Sequence, residues 1–289
     1  ILNRAYPTPY FFSARVFSQI DLVSIELQKV YRQTDSVFVS VLDHIRTNTA
    51  GAADLQLLNT RYGSHIEESE ADMYITLATR RDTVDSINEK KLAELAGEPI
   101  TFEGSIEGDF PESSLPTSQE LVLKPGAQII FIKNDFDRRW VNGTIGVIAG
   151  IDEEEETIYV ITDDGKECDV KRESWRNIRY RYNEKTKEIE EEVLGSFTQY
   201  PIRLAWAITV HKSQGLTFSR VVIDFTGGVF AGGQAYVALS RCTSLDGIQL
   251  KKPINRADIF VRPEIVNFAG RFNDRQAIDK ALKQAQADV

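Results

Sequence analysis

Hydrophobic periodicity changes twice along this chain, and those changes limit what it can fold into. Met73–Thr79 alternates Met73, Ile75 and Leu77 against Tyr74 and Thr76, a strand pattern. It leads into Asp82–Ala96, where Val84, Ile87, Leu92 and Leu95 share one helical face before Gly97 stops the helix. Upstream, Leu22–Val30 reads as a strand. Asp35–Asn48 reads as a helix with Val37, Val41, Leu42 and Ile45 inward and Thr34 as its cap. Strand–helix alternation predicts a parallel, doubly wound sheet. From Pro125 to Tyr200 the helical period is lost. Ile129–Ile132, Thr144–Ile148, Ile158–Ile161 and Ile178–Tyr182 are short β segments, punctuated by Asn142-Gly143 and Asp164-Gly165. Such dipeptides are hairpin chemistry, and many short strands in so few residues predict a small barrel. After Pro201 the α/β pattern returns. Leu204–Thr209, Val221–Phe225 and Gly247–Leu250 bracket a helical Gln234–Cys242, and a helical tail covers Val261–Ala287. The simplest architecture is one α/β domain interrupted by a β-barrel insertion, with Ser105–Ser118 a loop.

Composition excludes several classes. The net charge of −9 rules out a uniformly basic coat for nucleic acid. It leaves room for a local basic channel, because acidic residues concentrate in Glu153–Glu156 and Glu188–Glu192, which read as solvated faces and turns. Cys168 and Cys242 lie 74 positions apart without CxxC spacing, which argues against a disulfide framework or a zinc site and for a reducing compartment. No apolar run approaches membrane-spanning length, and Ile1–Ala14 lacks the layout of a signal peptide, so a soluble, intracellular protein is expected. The chain starts at Ile1 and its one methionine is Met73, so a fragment or trimmed product is expected. His44, His65 and His211 are scattered, and no carboxylate cluster suggests a metal site.

The densest chemistry lies in Ala207–Phe218, AITVHKSQGLTF, followed by Tyr236–Arg241, YVALSR. A strand that ends in Thr209, His211, Lys212, Ser213 and Gln214 presents short polar groups at a sheet edge, where phosphates are held, and Gly215 permits close backbone approach. A solvated strand-to-helix connection is the plainer reading, but so many polar groups in nine residues favour function. Arg241 closes a segment with apolar Val237 and Leu239, so its burial needs an anion. A carboxylate in a structural ion pair and a phosphate both remain open. Tyr31-Arg32-Gln33 closes the expected first strand, at the kind of sheet edge where α/β proteins bind ligands. Lys171–Tyr182, KRESWRNIRYRY, interleaves basic and aromatic residues that can grip a single strand. A barrel strand with tyrosines inward and arginines outward accounts for most of them.

VYRQ (Val30–Gln33), GAQIIFIKND (Gly126–Asp135), WVNGT (Trp140–Thr144), AITVHKSQGLTF and YVALSR together resemble the C-terminal half of superfamily-1B DNA helicases of the petite-integration-frequency and RecD type. The resemblance covers nearly the whole chain, in order. It implies a motor with two RecA-like domains that moves 5′-to-3′ on single-stranded DNA, with ATP and Mg²⁺ in the cleft between them. Residues 1–17 would then be the last part of the first RecA-like domain. Residues 18–124 and 201–289 would form the second RecA-like domain (2A), with P-loop NTPase topology, and 125–200 an inserted SH3-like β-barrel (2B). Carried over, Arg32 and Arg241 reach the γ-phosphate, and Gln214, Gly215 and Tyr31 lie near the nucleotide. Thr209, His211 and Ser213 touch the DNA backbone or couple it to the nucleotide. The pattern GxxxxGK[ST] does not occur in these 289 residues, nor does an Asp-Glu pair placed to hold Mg²⁺, nor the family's GDxxQLPPV segment. The resemblance therefore assigns most of the ATP and Mg²⁺ grip to an N-terminal RecA-like domain outside these residues. Expected partners are single-stranded DNA and single-strand/duplex junctions, met by a monomer away from membranes. The site would be cytoplasm or nucleoid in a bacterium, nucleus or mitochondrion in a eukaryote, with roles in DNA repair, recombination and telomere maintenance. The alternative is a catalytically silent DNA-binding or interaction module that keeps only the second RecA-like fold.

Overall fold

The computed structural model describes residues 5–20, 22–27, 29–64 and 73–287. His65, Gln28 and residues 1–4 of the expected N-terminal segment lie outside them. In chain order, helices α1 (Ser36–Arg46) and α2 (Ala52–Asn59) precede β1 (Ile75–Ala78) and α3 (Arg81–Glu94). Then come β2 (Ile100–Glu103), β3 (Ser105–Gly108), β4 (Glu120–Leu123), β5 (Gln128–Phe131), β6 (Ile145–Asp152), β7 (Thr157–Thr162) and β8 (Glu167–Val170). A long hairpin, β9 (Glu173–Asn183) and β10 (Glu188–Gln199), leads to β11 (Ile202–Leu204) and β12 (Ala207–Thr209). The chain ends with β13 (Val221–Asp224), α4 (Gln234–Leu239), β14 (Ile248–Leu250), α5 (Pro263–Ala269) and α6 (Arg275–Ala287).

The α/β part is a parallel sheet in the order β12-β1-β13-β14. Every residue of β1 and β13 is buried, as expected for central strands covered on both faces. Phe38, Val41, Leu42 and Ile45 of α1 join Ala235, Ala238 and Leu239 of α4 in the main core, while Val84 of α3 packs with Ala78 and Ala207. Helix α1 starts where the Asp35 carboxylate accepts from the Val37 N–H at 2.9 Å, so Asp35 and not Thr34 is the cap, and Val37 faces outward.

The β-rich part has its own core, centred on Phe131 stacked on Trp140 (4.3 Å between centroids) and on Phe102 edge-on to Tyr200 (5.0 Å). An antiparallel sheet β11-β5-β6-β7-β8 adjoins a three-stranded sheet β3-β10-β9 and the pair β2-β4. Leu92, Phe102, Leu121 and Leu123 belong to this core, so its packing begins upstream of Pro125.

Three expectations are corrected, and one helix is added. The segment expected as one strand, Leu204–Thr209, is two: β11 pairs antiparallel with β5, and β12 pairs parallel with β1. Gln128 holds the break, its side-chain amide donating to Tyr74 O at 2.9 Å and Ala205 O at 2.7 Å. The expected loop 105–118 contains β3, because the extended β10 offers it a pairing edge from far along the chain. Helix α2 escapes a periodicity search because only Leu58 of its eight residues is buried. The described residues of 22–30 form no strand. Their backbone is held at Ser24 and Glu26 by Asn273, which bonds both through its N–H and side-chain amide. Phe11, Phe12 and Phe17 cluster on Phe268 of α5, tying the N-terminal segment to the C-terminal tail. Among the described residues no helix is long and apolar enough to cross a membrane.

Asn88 in α3 donates to Ala207 O and accepts from Ala207 N–H, both at 2.9 Å, fastening the helix to β12. Asn88→Ala would strand two buried backbone groups. It is expected to lower unfolding free energy by about 1–3 kcal/mol in a denaturant titration, and a loss within error would show the bond to be dispensable.

Candidate nucleotide and nucleic-acid site

Parallel pairing brings Ala78, Thr209 and Asp224 level at one edge of the sheet. Beyond it the 209–217 turn is built from its own polar groups. Thr209 Oγ1 accepts from the Lys212 N–H at 3.2 Å, and Thr209 O accepts from the Ser213 N–H at 3.1 Å. Ser213 is fully buried, and its hydroxyl donates to Val210 O at 2.7 Å. Ser213 therefore shapes the turn from within, while His211, Gln214 and Gly215 stand exposed. Gly215 has φ +85° with open space about its Cα, a conformation that suits glycine and leaves the backbone approachable.

Arg32 and Arg241 converge at the far end of this turn. Gln33, buried, donates to Ser240 O at 3.0 Å and Cys242 O at 2.8 Å, clamping the VYRQ segment to the end of YVALSR. That clamp sets Arg32, whose Nε donates to Thr217 Oγ1 at 2.8 Å and whose Nη1 donates to Ser240 O at 3.2 Å. Arg241 is 8% exposed. Its Nε donates to Val237 O at 2.9 Å, its Nη1 to Leu216 O at 3.2 Å, and its Nη2 to Ser240 Oγ at 2.9 Å. Burial, and next the like charge of Arg32, push the Arg241 pKa down from its ordinary value. Among the described residues neither arginine forms an ion pair. The choice left open by the sequence is thereby narrowed: Arg241 is not neutralised by a structural carboxylate. Two cations, one buried, are held by neutral acceptors and lack the anion that such burial calls for.

Tyr31, 80% exposed, has the Lys29 amine 4.7 Å from its ring centroid. The basic-aromatic stretch 171–182 lies on β9, away from this turn in the sheet order. Tyr180 and Tyr182 are exposed there rather than inward, and Arg181 pairs with Glu192 at 2.9 Å across the hairpin. Register explains the outcome: a free hairpin arm leaves both of its faces in solvent. Among the described residues no cluster of His, Cys, Asp or Glu could hold a metal ion.

No family model matches the chain. An ATP-dependent DNA helicase Pif1 from Bdellovibrio bacteriovorus is 31% identical over 254 residues, which is 86% of this chain and 54% of that protein. Pif1 from a Bacteroides species in complex with ADP-AlF4 superposes with a TM-score of 0.82 at 34% identity, covering 96% of this chain and 63% of that one. The Bacteroides Pif1 structure bound to single-stranded DNA gives a TM-score of 0.70 at 34% identity over the same shares. The chain belongs with the Pif1-type helicases. It corresponds to their C-terminal half, and its parallel sheet is RecA-like. It spans 54% of the Bdellovibrio Pif1.

Leu216 and Ser240 were not foreseen as parts of the site, whereas Thr217 and Gln33 stand in the motifs that the sequence singles out. Leu216 acts through its backbone carbonyl, which any residue supplies, and Ser240 through its carbonyl and its hydroxyl. In this Pif1-type chain a further contact joins the β-rich part to the turn. Gly143 has φ +101°, and a Cβ placed there would lie 2.6 Å from Leu216 Cδ2. Gly143→Ala is expected to cost about 1–3 kcal/mol in a denaturant titration. Adding Leu216→Ala should recover part of that loss by opening the contact. Strict additivity of the two substitutions would rule the contact out as the cause.

Proposed function

We propose that the chain supplies the second motor domain of an ATP-dependent 5′-to-3′ DNA helicase. Residues 18–124 and 201–289 form the RecA-like body (2A), residues 125–200 an SH3-like insertion (2B), and residues 1–17 the end of the preceding RecA-like domain. The observation that carries the reading is the Arg32–Arg241 pair, bonded to Thr217, Ser240, Val237 and Leu216 and lacking a carboxylate. Guanidinium groups fixed by neutral acceptors fit a phosphoryl group that brings its own negative charge. ATP, held with Mg²⁺ mostly by the N-terminal RecA-like domain, supplies the phosphoanhydride whose hydrolysis drives movement. Arg241 and Arg32 stabilise charge that develops on the transferred group. Gln214, Gly215 and Tyr31 border the nucleotide. Thr209 and His211 meet the DNA backbone, and Ser213 holds the turn that links the two. The partners are single-stranded DNA and single-strand/duplex junctions, met by a monomeric, intracellular protein. That Bacteroides Pif1 has been crystallised with ADP-AlF4 and with single-stranded DNA supports this reading.

In the intact helicase, Arg241→Ala is expected to lower DNA-stimulated ATPase by about 10³-fold or more, while single-strand affinity stays within a few-fold of wild type. Lost DNA binding with normal ATPase would reverse the assignment. The 289-residue chain alone is expected to release no phosphate from ATP. DNA-stimulated release above that of a chain lacking Arg32 and Arg241 would count against the division of labour proposed here.

A further inference from the structure

The connection between β5 and β6 carries an aromatic side chain for which the fold provides no partner. Phe136 is 96% exposed, more than any other large apolar side chain among the described residues. Among those residues it stacks on no ring and lies under no cation.

The loop that presents it, residues 133–143, is fastened along both limbs. Trp140 is buried against Phe131, and its Nε1 donates to Lys133 O at 3.2 Å. The Asp135 side chain is only 6% exposed. Its carboxylate accepts from the Arg139 N–H and Nε, both at 3.0 Å, and from Arg139 Nη2 at 2.8 Å. Arg139 also donates to the Asp169 carboxylate of β8 at 2.7 Å and covers the Trp140 ring, 4.6 Å from its centroid. Asn134 Oδ1 accepts from the Asn142 N–H at 2.8 Å and ties the two limbs together. Beyond this framework Phe136, Asp137 and Arg138 form an exposed tip. A ligand that meets Phe136 therefore finds a ring whose supporting backbone is already ordered, which lowers the cost of binding.

Placement and charge narrow what that ligand is. Gly143 closes the same loop, and a Cβ on it would lie 2.6 Å from Leu216 Cδ2. The loop is thus seated on the 209–217 turn, where His211 and Gln214 stand exposed. The tip is electrically balanced. Asp135 is matched by Arg139, while Asp137 and Arg138 face solvent with opposite sign. Neither of those two side chains has a hydrogen-bond or ion-pair partner among the described residues. A neutral tip gives a phosphate little reason to settle. An aromatic face suits a nucleobase, whose π-face stacks whatever its sequence.

We propose that Phe136 is a stacking platform for one unpaired base of a single-stranded nucleic acid that passes the 209–217 turn. The proposal rests on the DNA-translocating reading above and adds to it a base contact supplied by the β-rich part. Inside a duplex both faces of a base are covered by its neighbours, so the platform selects unpaired strand. The contact is uncharged. It strengthens the hold on the bases without changing the number of counterions released from the backbone.

Fluorescence anisotropy of a labelled oligothymidylate with the whole 289-residue chain tests this across a salt series. Phe136→Ala is expected to weaken binding about 5- to 150-fold, the range for one base–aromatic stack, with the slope of log K against log salt unchanged. Phe136→Tyr keeps the ring and should bind like wild type. Phe136→Leu keeps apolar bulk without the ring and should bind like Phe136→Ala. An oligonucleotide of abasic sites, and a blunt duplex, should not distinguish Phe136→Ala from wild type, because neither offers an unpaired base. Wild-type affinity in Phe136→Leu would assign the residue to apolar docking against protein and overturn the platform. A Phe136→Ala loss that persists on the abasic strand, or that lowers the salt slope, would place the contact on the backbone and overturn it too. ATP that displaces the oligothymidylate from wild type but not from Phe136→Ala would give the platform to the base of a free nucleotide, which also overturns it. Equal affinity of Phe136→Ala and wild type overturns the platform and leaves the DNA reading standing. No binding by wild type at any salt removes the DNA reading, and the platform with it. Because Phe136 is exposed, its variants should melt at the wild-type temperature, and a lowered Tm would show a ring that packs within the fold instead.

Discussion

Parallel pairing of β1 with β12 on one side and β13 on the other is the constraint on which the rest depends. It brings three strand ends level at one sheet edge, and the 209–217 turn is the continuation of one of them. Because β1 is buried on both faces, its position is set by packing against α1 and α4 on one side and α3 on the other. The functional groups hang from an edge that the core holds still. Gln128 and Asn88 then do what apolar packing cannot. Each satisfies buried backbone groups at the point where the chain leaves the sheet of β11 and joins that of β12.

Charge is the second organising fact. The chain is acidic overall, yet Arg32 and Arg241 are held by neutral acceptors, without a carboxylate, at one end of the turn. Removing a guanidinium from water without a counter-ion costs several kcal/mol in principle, and neutral carbonyl acceptors return only part of it. A fold that tolerates this keeps a site ready for an anion. Leu216, whose carbonyl holds Arg241, lies four residues from Lys212 on the same turn. Gly143 against Leu216 gives the β-rich part a contact on the same segment.

Much of this was legible in the residues. AITVHKSQGLTF, YVALSR and VYRQ carry their chemistry locally, in polar residues next to a β-branched strand, so periodicity and composition suffice to find them. The α/β class followed from alternating strand and helix patterns, and Asn142-Gly143 marked a turn correctly, although only its glycine adopts positive φ. The failures share a cause. Leu204–Thr209 is continuous in hydrophobicity but split between sheets, β3 exists only because a distant β10 pairs with it, and the described part of 22–30 bonds to Asn273 instead of to a sheet. Each depends on a partner far away in the chain. Tyr180 and Tyr182 were expected inward because a barrel was expected to close over them, whereas the hairpin leaves them exposed.

The sequence by itself determined the secondary-structure alphabet, the Pif1-type kinship and the residues able to meet phosphate, because propensity, patterning and short motifs are properties of neighbours in the chain. Tertiary structure alone decided which of those residues act together. It placed Arg32 against Thr217 and Ser240, turned Ser213 inward and denied Arg241 a carboxylate. The physical reason is that hydrogen-bond satisfaction and electrostatic compensation are decided by distance in space, and spatial neighbours more than a hundred residues apart leave no trace in local pattern.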